Sequence, residues 1–244
     1  MKQLNEWIET DVKRAKERSI KWLSEEYFFR DPARPYYINQ DFFFSPADGI
    51  ILYQKIVRPD ESLVEIKGKH YTLQTAMHDS SYEKESLVIG IFMTFYDIHV
   101  NRIPLGGYLS YQHIEPIASC NRPMLNIEKD LISHNRVNPD DAEYLFYNER
   151  MLNTVYSPSI QQSYYILQIG DYDVGVIVPF TTKQHHAYFQ NRRFSQIRYG
   201  SQVDLIIPLS DHYEFEVLQT DEVHVEAGVD PLIKIHPRGN KHDR

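Results

Sequence analysis

Seven short runs of β-branched and aromatic residues, each closed by turn residues, decide what this 244-residue chain can fold into. They are GIILYQKIV (49–57), SLVEI (62–66), LVIGIFMTFY (87–96), YYILQIG (164–170), VGVIVPF (174–180), QVDLIIPL (202–209) and YEFEVL (213–218). Such runs predict strands, because branched and ring side chains pack well on a pleated surface. DDAEYLFYN (140–148) fits either a short helix or an edge strand. No internal repeat, Gly/Ser linker or composition shift divides the chain. The expected fold class is therefore α+β, predominantly β: one β-rich domain over 31–244 with an N-terminal amphipathic helix in 1–30.

That helix is the one strong helical pattern. Leu4, Trp7, Ile8, Val12, Ala15, Trp22, Leu23 and Tyr27 recur at three- and four-residue spacing, which predicts a helix from 3 to about 28. Pro32 and Pro35 forbid its continuation. Its other face carries Lys13, Arg14, Lys16, Arg18 and Lys21. Residues 11–22 hold five basic and two acidic side chains, a local charge of +3 in a chain of −8. Two tryptophans beside a basic face fit an interfacial membrane helix, and they also fit a helix packed on its own domain.

The net charge of −8 and a pI near 5.8 exclude a broad nucleic-acid-binding face. A single cysteine, Cys120, excludes an intramolecular disulfide or a thiolate metal cluster and fits a reducing compartment. The N-terminal MKQLNEWIET lacks the apolar core of a secretory signal. The longest apolar run, LVIGIFMTFY, is about half the length of a membrane span, so it predicts a buried strand and any membrane contact would be peripheral. The tail GNKHDR is polar and predicted to fray. No zinc ligand spacing, Walker A loop, GxGxxG or GxSxG is present, so no metal site and no nucleotide cofactor is expected.

Four stretches could carry chemistry. SPADG (45–49) sets Asp48 in a turn immediately before a strand. FMTFYDIHVNRIPLGG (92–107) runs a very apolar strand straight into Asp97, His99, Asn101 and Arg102, with Asp97, His99 and Asn101 on one face by alternation. A histidine there is often only a hydrogen-bonded core residue, but His-x-Asn-Arg is harder to explain by packing. YNER (147–150) offers Glu149 and Arg150, which read as a solvated charge pair. In RRFSQIRYGSQVDLIIP (192–208), Gly200-Ser201 separates a basic approach from an apolar strand; alone, Gly-Ser is only a turn.

Together and in order, YFFRDPARP, FFFSPADGIIL, IGIFMTFYDIHVNRIPLGGYL, NER and IRYGSQVDLIIP resemble the phosphatidylserine decarboxylase family in its short bacterial and archaeal form. Each motif alone is weak; five in the right order are specific, and they span nearly the whole chain after the first helix. The resemblance implies a proenzyme that cuts its own chain at Gly200-Ser201, giving chains of 200 and 44 residues. The family's cleavage motif is commonly Leu-Gly-Ser-Thr or Phe-Gly-Ser-Arg; here Tyr199 and Gln202 flank the conserved pair and bear on how efficiently it is cut.

The implied chemistry assigns a role to each residue. Ser201 Oγ attacks the Gly200 carbonyl, Gly200 supplying an unhindered, strained turn. His99 is the base, and Asp48 accepts a hydrogen bond from its imidazole, as in a Ser-His-Asp set. The family's Asp-His-Ser set thus falls on Asp48, His99 and Ser201, with Asn101 and Arg102 as substrate-binding candidates. A pyruvoyl group derived from Ser201 then forms a Schiff base with the amine of phosphatidylserine, which leaves as phosphatidylethanolamine and CO2. Arg102 stands where long members carry a second histidine. The alternatives are decarboxylation of a soluble amino acid or another serine-containing lipid, or a silent, non-enzymatic homologue. The resemblance also implies a cytoplasmic enzyme, peripheral on the membrane surface and homo-oligomeric. Asp48→Asn is expected to impair processing while sparing the fold.

Overall fold

The computed structural model describes residues 1–117, 121–134 and 136–238; Cys120 and the polar tail lie outside the described residues. A nine-stranded antiparallel sheet organises the chain. Its order is Lys2–Gln3, Val223–Val225, Gly49–Val57, Ser86–Met93, Ser201–Pro208, Gln162–Gly170, Arg150–Ser157, Gly107–Ile114 and His186–Tyr188. With 40% strand against 18% helix, the fold is α+β and predominantly β, as the strand-like runs predict.

The middle of this sheet is covered on both faces, which explains why its strands read as near-continuous apolar runs. Every residue of Ser86–Met93 and of Ser201–Pro208 is buried. Alternate residues feed two separate cores. Leu87, Ile89, Ile91, Met93, Val203, Leu205 and Ile207 pack on one side, while Val88, Phe92 and Ile206 pack on the other. The first side is closed by two small sheets. One is Ile177–Pro179, Arg193–Ile197 and Val100–Arg102; the other is Tyr213–Val217, Pro231–Pro237 and Phe42–Phe44. The second side is closed by the N-terminal helix, by helix Leu125–His134, by the Ser62–Ile66/Lys69–Thr72 hairpin and by the short helix Leu73–Met77. Each fully buried aliphatic side chain contributes roughly 1.5–3 kcal/mol, so this double burial is what holds the sheet.

Two expectations are corrected and one open alternative is resolved. The N-terminal helix is not continuous to residue 28. It runs over 4–16, then restarts at Ile20–Trp22 and continues to Tyr27. Ser19 separates the two, its hydroxyl capping the second segment by accepting from the Trp22 N–H at 3.2 Å. The apolar run 87–96 is strand only to Met93. There the chain turns, with the Asp97 N–H donating to the Thr94 carbonyl at 3.0 Å, and His99 follows in a loop rather than in the same strand. Within the ambiguous 140–148 stretch the regular elements are a 3-10 turn at Pro139–Asp141 and a helical turn at Tyr144–Tyr147.

The N-terminal stripe packs on its own domain. Leu4, Trp7, Val12, Ala15, Leu23 and Phe28 are buried. Trp7 stacks on His224, ring centroids 4.6 Å apart and planes 12° from parallel. Among the described residues, no helix is long and apolar enough to cross a membrane.

Candidate functional site

The Ser201–Pro208 strand begins at the edge of the two-sided core, and its first residue sits between Met93 on one neighbour and Gly170 on the other. Ser201 is fully buried, and its Oγ has no hydrogen-bond partner. The residue before the Gly200-Ser201 pair carries the backbone distortion: Tyr199 has φ +66°, a left-handed conformation rare for a side chain of its size. Gly200 itself does not adopt a positive φ, so the expectation of a strained glycine moves one residue upstream. What Gly200 supplies is space, because a Cβ there would stand 2.8 Å from Asp171 Oδ2.

His99 is held from both sides. Its Nδ1 lies 3.1 Å from the Asp97 carbonyl, which can only accept, so Nδ1 carries the proton and Nε2 presents its lone pair. That Nε2 is buried and unpartnered. Phe28 lies over the imidazole at 4.3 Å between centroids, and the same ring lies 6.1 Å from that of Tyr199. The second helical segment therefore ends by roofing the histidine. Burial, helped by the Arg30 charge, pushes His99 down to about 4; the Asp97 charge and carbonyl and a backbone contact to Tyr199 act in the opposite direction and lose. The imidazole is neutral throughout the physiological range.

Asp97 anchors this loop. Its Oδ1 meets His224 Nε2 at 2.6 Å, and its Oδ2 accepts from the Thr94 N–H and hydroxyl, each at 2.8 Å. Burial alone would raise its pKa, but the His224 charge and these hydrogen bonds outweigh that and hold it below the usual carboxylate range. Arg30 clamps the same turn from outside, donating to the Tyr96 carbonyl at 2.5 Å and the Asp97 carbonyl at 3.4 Å.

Asp48 is placed differently from the expectation. Its two oxygens accept from Arg34 Nη1 at 2.6 Å and Nη2 at 2.5 Å, and Oδ1 also accepts from the Ala227 N–H at 2.8 Å. Among the described residues no hydrogen bond joins it to His99; the imidazole takes the Asp97 carbonyl instead. Asp48 and Arg34 form a buried bidentate pair. Asn101 is equally committed: its Oδ1 accepts from Gln168 at 2.6 Å, and its Nδ2 reaches the Pro46 carbonyl at 3.4 Å. That bond ties the Asp48 turn to the His99 loop. Arg102 donates to the Asn191 carbonyl at 3.1 Å and lies 3.6 Å from Asp31.

Arg102 lines a cavity of about 330 Å³ together with Arg34, Arg192, Arg193, Tyr36 and Asn191. Asp48 neutralises Arg34, and Asp31 lies 2.8 Å from Arg193 and 3.6 Å from Arg102. Four cations against three carboxylates, Glu226 also acting on Arg34, leave the cavity with an excess of one positive charge. Burial and the neighbouring Arg34 and Arg193 depress the Arg102 pKa.

Glu149 and Arg150 are not a solvated pair. Both are buried and neither bonds to the other. Glu149 accepts from the Gly175 N–H at 2.5 Å and the Ile177 N–H at 3.3 Å, while Arg150 donates to the carbonyls of Phe146, Thr75 and Ala76. They stitch loops to the sheet, a role that adjacent charges do not reveal when strand burial is unknown. The sequence reading also missed His224, Phe28, Arg34 and Asp171 as neighbours of the site. Phe28 and Arg34 lie inside the YFFRDPARP motif; the other two carry no local signal.

The phosphatidylserine decarboxylase family model matches residues 26–230, which takes in every residue just described. A protein of Methanocaldococcus jannaschii and one of Methanothermobacter thermautotrophicus, each named putative archaetidylserine decarboxylase proenzyme, are 37% and 28% identical over 36% and 84% of this chain. A phosphatidylserine decarboxylase proenzyme of Wolbachia sp. subsp. Brugia malayi is 37% identical over 36% of it. The matched regions span 42%, 75% and 31% of those three proteins respectively. A family match that covers both the His99 loop and Gly200-Ser201 settles the family: this chain belongs to the phosphatidylserine decarboxylases.

Proposed function

We propose that the chain is a proenzyme that cuts itself between Gly200 and Ser201 and then, as a pyruvoyl enzyme, decarboxylates a serine-headgroup phospholipid. One observation carries this reading. The two atoms that must react, Ser201 Oγ and His99 Nε2, are buried polar atoms left without partners. Each such atom destabilises a fold by roughly 1–3 kcal/mol, and unpaired buried groups are kept where chemistry needs them.

The residues around them fit the reaction. The Asp97 carbonyl fixes the tautomer, so Nε2 can take the Ser201 Oγ proton as Oγ attacks the Gly200 carbonyl. Because His99 is already neutral above about pH 4, no prior deprotonation is required. The Tyr199 conformation raises the energy of the uncut segment. Gly200 leaves the carbonyl unhindered, and Phe28 excludes water from the imidazole. The pyruvoyl group formed from Ser201 supplies an electron sink for loss of CO2. His99 is then the residue placed to return a proton. Asp48 supports the site at one remove, through Arg34 and the Pro46–Asn101 bond.

The arginine-lined cavity favours a phosphodiester over a free amino acid, since guanidinium groups match phosphate oxygens. Relatives named for phosphatidylserine and for archaetidylserine share that head group and differ in their hydrocarbon part, so the head group is the recognised element. The test offers phosphatidylserine vesicles, glycerophosphoserine, free serine and free tryptophan in parallel and measures CO2. Release from the two phosphodiesters alone is expected. Release from a free amino acid alone would overturn the lipid assignment.

A further inference from the structure

Asp171 is the first residue beyond the Gln162–Gly170 strand, and Gly170 is the register partner of Ser201. The sheet therefore lays the Asp171 carboxyl against the bond to be cut. Oδ2 would stand 2.8 Å from a Cβ on Gly200, so a larger residue there would have to push the Asp171 side chain aside. Oδ1 is fixed by the N–H groups of Met124 at 2.7 Å and Tyr172 at 2.8 Å. Oδ2 has no hydrogen bond, and no cation pairs with this carboxyl, among the described residues. One oxygen is anchored and the other is free beside the scissile glycine.

Resting on the self-cleavage reading, we propose that Asp171 is the general acid of that cleavage, giving its Oδ2 proton to the Ser201 nitrogen as the Gly200 carbon–nitrogen bond breaks. The atoms balance. Ser201 Oγ loses its proton to His99 Nε2 and bonds to the Gly200 carbonyl carbon. The carbon–nitrogen bond then breaks, and the nitrogen, which already bears one hydrogen, takes a second from Asp171 and leaves as an amine. The products are an ester, an imidazolium and a carboxylate; one proton passing through solvent from His99 to Asp171 restores both side chains.

Two other carboxylates near the site, Asp48 and Asp97, spend both oxygens as hydrogen-bond acceptors. Asp48 accepts from Arg34 and Ala227, and Asp97 accepts from His224 and Thr94. Asp171 keeps Oδ2 free, and burial pushes it up to about 6, against the two backbone N–H groups that favour its ionised form. The ionisable groups on the surrounding elements are Glu128 on helix Leu125–His134, Tyr144 on the helical turn, Arg122, Glu149, Asp173 and Arg198. Burial raises Glu128 to about 7, so it titrates in the same range and must be separated from Asp171 experimentally.

The test follows cleavage of freshly translated precursor by denaturing mass spectrometry between about pH 5 and 8. The expected wild-type rate constant falls as pH rises through about 6. Asp171→Asn keeps the Oδ1 acceptor for Met124 and Tyr172 but cannot transfer a proton. It should cut on the order of a hundredfold more slowly at pH 6 and lose the falling limb, whereas Glu128→Gln should keep it. A wild-type rate that does not decline across this range, or an Asp171→Asn chain that cuts at the wild-type rate with the limb intact, would overturn the proposal. A wild-type chain that never cuts would overturn the self-cleavage reading itself, an outcome distinct from one in which both wild type and variant are cut.

Discussion

At the scale of single residues, the site is defined by what its side chains lack as much as by what they bond. Ser201→Ala removes the nucleophile and is expected to leave one uncut 28.9 kDa chain with no decarboxylase activity, read by intact mass and CO2 release. His99→Gln is expected to slow cleavage by roughly 10²–10⁴-fold, the usual worth of a positioned base. Asp48→Asn is expected to be less well tolerated than a turn residue's position alone implies. Its partner Arg34 is buried, and stranding that cation destabilises by about 3–5 kcal/mol. The expected result is a lowered Tm together with impaired processing. Replacing Arg34 by Met in the same chain should recover most of the stability and little of the processing, which separates the structural share of the pair from its role in the site.

At the scale of elements, the N-terminal helix is part of the domain's core rather than an appendage. Trp7→Ala removes a ring stacked on His224 and buried to 2% exposure, and is expected to lower stability by about 3–5 kcal/mol in a denaturant titration. Phe28→Ala unroofs His99, so the histidine should titrate closer to its ordinary value and water should reach the site. Membrane contact, if it uses this element, falls to what remains outside: Ile20 is 84% exposed between Arg18 and Lys21, whereas Trp7 is unavailable. Flotation with anionic vesicles should weaken with added salt and on Arg18→Glu/Lys21→Glu; unchanged flotation would remove this helix from the membrane contact. The strands were legible in sequence where branched and aromatic residues run nearly unbroken, as in 202–209, or alternate cleanly with charges, as in 213–218. Gly107–Ile114 and Arg150–Ser157 were not, because Gln112, His113, Arg150 and Asn153 interrupt the apolar pattern. The motif residues Asp48, His99, Gly200 and Ser201 were legible as types in order. Asp97 was legible beside His99, but His224 and Asp171 were not, since they reach the site through pairings that only the sheet register creates.

At the scale of the molecule, burial makes stability depend on pH in a stated direction. Glu128 is raised to about 7, and Asp171 and Asp204 to about 6, each chiefly by desolvation. The native chain thus keeps protons that the unfolded chain has released, and stability falls as pH rises from about 4.5 to 7. His99 acts the other way: between about 4 and 6.5 only the unfolded chain binds its proton, so its contribution grows with pH. Three acids outweigh one histidine, and thermal melts should give a higher Tm at pH 5 than at pH 7.5. Asp204→Asn should flatten the profile, and a Tm that instead rises across this range would contradict the assignment of these buried acids. The central claim, that the fold exists to convert Ser201 into a reactive carbonyl, is tested most directly by the intact mass of freshly purified, denatured protein. The expected result is two chains, 1–200 and 201–244, the shorter one gaining the mass of a hydroxylamine adduct. A single 28.9 kDa chain that hydroxylamine leaves unchanged would contradict it.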